Sequence, residues 1–137
     1  MNIWHFEYNL EADPDRRIMF EKIYGVWRPQ TAKNYVRDFE LEASKLIDRP
    51  WAKLIDLSNW KTADPEVIQI IGRHLDWCRN NNMVWSVNII KNPVTYSHLM
   101  RMFAKGGTKQ ISRTFRTKNE AEKFLQENGF KLWTQLN

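Results

Sequence analysis

The chain has 137 residues and a formal net charge of +5 at pH 7, a size typical of one domain with its own hydrophobic core. Its apolar runs are only a few residues long, so the sequence predicts neither a transmembrane helix nor a signal peptide. The single cysteine, Cys78, excludes an internal disulfide and favours a reducing compartment. We therefore expect one globular cytoplasmic domain over residues 1–137.

The first third of the sequence predicts a β-hairpin followed by a long helix. Asn2–Leu10 alternates between two sets of side chains with a period of two, which is typical of a half-buried strand. Asp13-Pro14-Asp15 marks a turn, and Ile18–Trp27 is the predicted second strand of the hairpin. Pro29 then begins a helix whose apolar residues recur every three or four positions until Pro50 ends it.

The middle of the chain alternates strands with helices. Three further strands are predicted, at Ala52–Ser58, Val84–Lys91 and Lys109–Phe115. Asp64-Pro65 and Asn92-Pro93 each combine an N-cap residue with a proline at the first helical position. A helix is therefore predicted after each of the first two of these strands, and the second of the two helices runs to about Ala104.

The last helix is predicted from a capping box, in which Thr117 and Glu120 satisfy each other's backbone N–H groups, and it ends before Gly129. The element order is therefore β-β-α-β-α-β-α-β-α. Crossovers between parallel strands are right-handed almost without exception. We expect a single-domain α/β fold with a mixed five-stranded sheet, helices packed on it and the hairpin as an antiparallel edge.

The segment Leu54–Asp64 resembles part of the SpoIIAA-like, or STAS-like, family, which is related in fold to the lipid-binding CRAL-TRIO (Sec14-like) domains. In the anti-anti-sigma factors of that family, a strand ending in apolar-Asp-Leu-Ser leads to Asp-Ser-Ser-Gly at a helix start. A partner kinase phosphorylates the second serine. Here Asp56-Leu57-Ser58 matches the strand end and Asp64 the later aspartate, whereas Pro65 and Glu66 replace the two serines. The resemblance implies a SpoIIAA-like fold whose switch position cannot be phosphorylated.

Glu66 at this switch position has two interpretations. A carboxylate there imitates a permanently charged switch. Alternatively, a glutamate in the first turn of any helix is stabilised by the helix dipole. We favour the second interpretation and expect no phosphoregulation at the start of this helix.

Charge is distributed unevenly along the chain. Residues 77–119 contain eight Lys and Arg side chains and no acid, whereas residues 1–76 have a small excess of acids. The basic side chains either form one positive face that attracts anions, or they point in several directions and only increase solubility. The sequence leaves both alternatives open, as it does the oligomeric state.

The basic stretch contains Tyr96–Lys105, a predicted helix rich in Met, Phe and Leu with basic residues beside them. This composition is typical of an interfacial or ligand-contacting helix, although any helix that covers a sheet needs an apolar stripe. Trp60 is also a candidate, because it lies in the predicted loop Asn59–Ala63 and not on a periodic face. The sequence leaves open whether it has a surface role or belongs to the core. The candidate ligand- or membrane-binding residues are Trp60, Leu99, Met100, Arg101, Met102, Phe103, Lys105 and Lys109.

The sequence has no catalytic or metal-binding motif. Its three histidines are scattered, and Cys78 falls on the buried stripe of a helix, where a core side chain is expected rather than a nucleophile. We expect no enzyme activity, no cofactor, no metal and no nucleic-acid partner. The first hypothesis is a module that binds an apolar or lipid-like ligand and associates peripherally with the inner face of an anionic membrane. The alternative is a regulatory protein-interaction module resembling anti-anti-sigma factors.

Overall fold

The computed structural model describes residues 3–4, 7–61, 64–92, 97, 99–101 and 107–132. They form one mixed sheet with helices against both faces. In chain order the elements are β1 (Ile3–Trp4), β2 (Tyr8–Asp13), β3 (Ile18–Val26), α1 (Pro29–Ala43), β4 (Trp51–Lys61), α2 (Pro65–Asn80), β5 (Met83–Ile89), a 3-10 turn (Lys109–Ile111), β6 (Ser112–Phe115) and α3 (Lys118–Glu127).

The sheet has its strands side by side in chain order, from β1 to β6. The pairs β1–β2 and β2–β3 are antiparallel, and the strands from β3 to β6 are parallel. The predicted α/β class, with an antiparallel hairpin at one edge, is therefore confirmed. The number of strands is corrected: the predicted strand Asn2–Leu10 is divided into β1 and β2, with Ile3 opposite Leu10, so the described residues form six strands rather than five.

The strand β4 is longer than predicted, because it continues past Ser58 to Lys61. A β-bulge makes this possible: Lys22 pairs with Asp56 and Tyr24 with Asn59, so two residues of β4 oppose one of β3. The extra residue shifts the alternation of side chains by one position. Leu57 and Trp60 therefore face the same side of the sheet, three residues apart.

Helices α1 and α2 cover one face of the sheet, which we call the α1–α2 face. Its core is strongly aromatic and includes Trp27, Tyr35, Phe39 and Trp51. The opposite face, the α3 face, is covered in part by α3 and by the chain that follows it, through Ala121, Leu125 and Leu132 among others.

The last predicted strand begins later than expected, and only a part of the third predicted helix belongs to the described residues. Ser97 and Leu99–Arg101 are helical, and the rest of the predicted helix from Pro93 to Ala104 lies outside the described residues. The strand predicted from Lys109 begins at Ser112. It is preceded by the 3-10 turn, because the Thr108 carbonyl accepts hydrogen bonds from Ile111 N at 3.1 Å and from Ser112 Oγ at 2.7 Å.

The N-terminus of α3 gives the first stability prediction. Glu120 N donates to Thr117 Oγ1 at 3.2 Å, so Thr117 caps the helix as predicted. The other half of the predicted capping box differs, because Glu120 Oε1 accepts at 3.0 Å from the Thr117 hydroxyl and not from the Thr117 backbone N–H. Thr117→Ala is expected to lower the free energy of unfolding by about 1 kcal/mol, because a backbone donor loses its partner. Urea denaturation checks this, with Lys123→Ala as the exposed control on the same helix. Equal stability of the two variants would contradict the capping role.

Candidate functional site

The predicted site residue Trp60 is buried rather than at the surface. It lies in β4 and only 2% of its surface is exposed. The bulge turns it toward the α1–α2 face, where its ring packs edge-on against Trp27 with 5.6 Å between ring centroids. The expectation that Trp60 lies in a loop was therefore wrong, because the alternation of β4 cannot be extrapolated through a bulge.

The described part of the predicted basic helix has its apolar side on the core. Leu99 is 4% exposed, and Met100 is half-buried against the same cluster. Arg101 and Lys109 are exposed, Lys109 in the 3-10 turn. Three candidate residues, Met102, Phe103 and Lys105, lie outside the described residues.

Trp60 and Leu99 nevertheless come together, since both line a cavity of about 20 Å³ between the sheet and the α1–α2 layer. Most of the lining is apolar, with Tyr35, Lys53 and Asn88 as the polar contributors. A cavity of this size has room for about one water molecule. Two of the predicted site segments, at Trp60 and Leu99, therefore contribute to one cavity. The cavity is too small for an acyl chain.

A buried ion pair lies beside this cavity. Glu21 of β3 and Lys53 of β4 approach to 3.6 Å between Oε2 and Nζ, and both side chains are almost entirely inaccessible. The Tyr35 hydroxyl of α1 donates to Glu21 Oε1, and Lys53 Nζ lies 5.3 Å from the centre of the Phe39 ring. Burial raises the pKa of Glu21, against the opposing effect of Lys53.

His74 and Cys78 lie on α2 in the same layer, with Nε2 and Sγ 3.7 Å apart. Burial, and to a smaller extent the positive charge of Lys53, lowers the pKa of His74 well below its ordinary value of 6.5. Burial raises the pKa of the Cys78 thiol. Cys78 is thus a protonated core side chain, which confirms its predicted role.

Glu21 and Lys53 are the polar residues that the sequence reasoning missed. A signal was present for Lys53, because it interrupts the apolar run Trp51–Leu57 at a position that alternation places on the buried face. Glu21 occupies a buried position of the strand Ile18–Val26 in the same way. A charged residue on a buried strand position predicts a partner of opposite charge, although not which one.

The start of α2 is formed as predicted. Asp64 is the N-cap and its carboxylate accepts from Glu66 N at 2.8 Å, while Pro65 is the first helical residue. The Glu66 side chain is 58% exposed and its Oε2 lies 3.9 Å from Lys33 Nζ of α1. Because α1 and α2 follow the parallel strands β3 and β4, both helices begin at the same end of the sheet.

At the same end, the last residues of β3 and β4 are paired. Val26 lies opposite Lys61, and 68% of the surface of Val26 is exposed. No pattern in the sequence distinguished Val26 from the buried residues of its strand. We use the name α2-start surface for the exposed residues Val26, Lys33, Lys61 and Glu66.

Among residues 3–4, 7–61, 64–92, 97, 99–101 and 107–132, no three His, Cys, Asp or Glu side chains are grouped so as to hold a metal ion. No helix in those same ranges has the length and apolar composition that crossing a bilayer requires.

Comparison with known proteins identifies the fold. No protein-family model matches the chain, and no curated protein matches it in sequence. A solved structure of a DUF3478-family protein with a SpoIIAA-like fold, from Shewanella loihica PV-4, is similar with a TM-score of 0.63 and 13% identity, over 91% of this chain and 98% of that one. The structure of an anti-sigma factor antagonist from Mycobacterium paratuberculosis is similar with a TM-score of 0.57 and 14% identity, over 88% of this chain and 95% of that one. The chain has a SpoIIAA-like fold, as the resemblance predicted.

Proposed function

We propose that this protein is a non-enzymatic regulatory module that binds a protein partner through the α2-start surface. The observation that carries the proposal is the exposure of Val26, which is 68% accessible at the carboxyl end of the parallel strands. Charged side chains of Lys33, Lys61 and Glu66 belong to the same surface. An apolar centre with a polar rim is the usual arrangement of a protein interface, and the anti-sigma factor antagonist of similar fold supports a regulatory role.

Glu66 gives this surface a negative charge that does not depend on a kinase. Its ion pair with Lys33 is exposed on both sides, and such pairs contribute only about 0–1 kcal/mol to stability. Exchanging that pair for contacts with a partner therefore costs little. Under the proposal, partner binding does not depend on phosphorylation, because the residue at position 66 is a glutamate and has no hydroxyl to phosphorylate.

A second candidate function is binding of an apolar or lipid-like ligand, with peripheral association of the protein with an anionic membrane. The observation that favours it is that Trp60 and Leu99 line one apolar cavity beside the buried Lys53 ammonium. Arg101 and Lys109 add exposed positive charge. A ligand with an acyl chain would have to displace Leu99 from its buried position, since the cavity has only about 20 Å³. This requirement makes it the weaker candidate.

Site-specific photo-crosslinking in the native cell tests the first candidate. A photoreactive amino acid at Val26 is expected to give one adduct of defined mass, whereas the same group at Val84 is expected to give none. Val84 is the matched control, because it is also an exposed valine, 37% accessible, but lies near the start of β5. Glu66→Lys is expected to reduce the adduct at position 26 about tenfold, through charge reversal at the interface.

Two results would reject the partner-binding proposal: equal crosslinking from positions 26 and 84, or no adduct from position 26. Circular dichroism and thermal melting confirm that each variant is folded. Flotation with anionic vesicles tests the second candidate in parallel. Binding that falls with salt and disappears in Arg101→Glu/Lys105→Glu would support membrane association instead.

A further inference from the structure

The α3 face of the sheet carries an open groove of about 280 Å³ beside the start of α3. This volume is close to the lower limit of typical small-molecule sites. Phe20, Leu54 and Ile89 contribute apolar surface to it. The groove is distinct from the α2-start surface, and nothing in the proposed function uses it.

The strand register places several of its polar side chains in one row. Asn9 pairs with Lys22, Lys22 with Asp56, and Asp56 with Ile89. Residues paired across neighbouring strands project to the same face, so this row crosses four adjacent strands. Glu11 stands in the next row, opposite Phe20.

Both signs of charge surround the groove. Lys22 and Lys118 are the cations of its lining, and Glu11 and Asp56 are the acids that face it. Glu21, the third acid of the lining, has its carboxylate paired with Lys53. Within the described ranges, none of the ion pairs closer than 4.0 Å involves Lys22, Glu11 or Asp56, whereas Lys118 Nζ lies 3.7 Å from Glu122 Oε2 of the same helix. Asp56 Oδ1 accepts from Ser58 N at 2.9 Å, which orients that carboxylate.

The charge pattern selects a class of ligand. A ligand with a single charge meets a like charge in the groove as well as an opposite one, which reduces its net attraction. A ligand with one charge of each sign can direct each end to a complementary side chain. The half-buried ring of Phe20 beside Leu54 requires an apolar body between the two ends.

We propose that this groove binds a small zwitterion with an apolar body, of the type of a free α-amino acid with a large side chain. The ammonium group of the ligand lies toward Asp56 and Glu11. Its carboxylate lies toward Lys22 and Lys118, and its side chain covers the floor at Phe20.

Titration with L-phenylalanine, followed by amide chemical shifts in ¹H–¹⁵N spectra, tests the proposal. The shifts are expected to concentrate in β2, β3, β4 and the first turn of α3. 3-Phenylpropionate lacks the ammonium group and phenethylamine lacks the carboxylate. Each is expected to bind about tenfold more weakly, since each loses one charged hydrogen-bonding group. D-Glucose, a neutral ligand of similar size, serves as the comparison for unselective polar binding.

Asp56→Asn and Lys22→Gln are each expected to weaken phenylalanine binding about tenfold, whereas Lys123→Gln, at an exposed lysine outside the groove, leaves it unchanged. Asn at position 56 keeps an oxygen that accepts from Ser58 N, so the variant is expected to fold, which thermal melting checks. Absence of shifts up to the solubility limit of phenylalanine, equal binding of glucose, or equal binding of the singly charged analogues would overturn the proposal. Crosslinking from Val26 is independent of all these outcomes.

Discussion

Glu21→Gln and Lys53→Met are each expected to lower the free energy of unfolding by about 3–5 kcal/mol, because each leaves the remaining charge buried without its partner. The side chains of Glu21 and Lys53 are almost inaccessible, and their charged atoms lie 3.6 Å apart. The Tyr35 hydroxyl still donates to the group at position 21, but it cannot neutralise a charge.

The double variant Glu21→Gln/Lys53→Met is expected to be more stable than the sum of the single effects predicts. Replacing both members of a buried ion pair removes two desolvated charges together, and such replacements are often neutral or stabilising. A double-mutant cycle by urea denaturation measures the coupling. Lys33→Met and Glu66→Gln form the control cycle, because that pair is exposed and is expected to contribute at most about 1 kcal/mol. Similar coupling in the two cycles would contradict the argument.

The order of elements was predictable because its signals are local. Asp64-Pro65 determines where α2 begins through contacts within one turn of chain, and the structure has the predicted N-cap bond. Thr117 and Glu120 act in the same way at the start of α3. Each signal depends on residues two or three positions apart, so the sequence alone contains the necessary information.

Features that depend on how one strand pairs with another were not predictable in this way. The bulge opposite Ile23 is a property of the β3–β4 register, and it places Trp60 in the core instead of a loop. The division of Asn2–Leu10 into β1 and β2 also depends on how the two pieces pair. Side chains alternate between the two faces of the sheet both before and after a bulge or a chain reversal. The alternation of apolar and polar residues therefore does not show where the bulge or the reversal lies.

The polar sites show the same dependence on register. Met19 pairs with Lys53 and Glu21 with Ile55, so Glu21 and Lys53 are diagonal neighbours on adjacent strands. The sequence contains two charged residues on buried strand positions, but only the register makes them partners. The row across the α3 face, from Asn9 through Lys22 to Asp56, is likewise assembled by strand register, within the β2–β3 hairpin and between β3 and the distant strand β4.

Acidification from pH 7 is expected to destabilise the protein through His74. The ring is buried among Tyr35, Phe39, Cys78 and the nearby Lys53 ammonium. The pKa of His74 in the folded protein is well below 6.5. As pH falls through 6.5, the unfolded chain therefore binds a proton at His74 and the folded protein does not. The contribution of His74 to stability is complete above pH 6.5. Below it, this contribution falls by up to about 1.4 kcal/mol per pH unit until the folded pKa is reached.

Comparison of the wild type with His74→Gln isolates this effect, because Gln does not titrate. Glu21 has a raised pKa, so its protonation acts in the opposite direction as pH falls, but it is present in both proteins. The free energy of unfolding, measured in urea between pH 7 and 5, is expected to decrease more steeply in the wild type than in His74→Gln. This difference in slope is independent of any constant loss of stability that the substitution causes. Arg73→Gln, an exposed neighbour on α2, is expected to keep the wild-type slope, and parallel curves for the wild type and His74→Gln would show that His74 is not held neutral by the fold.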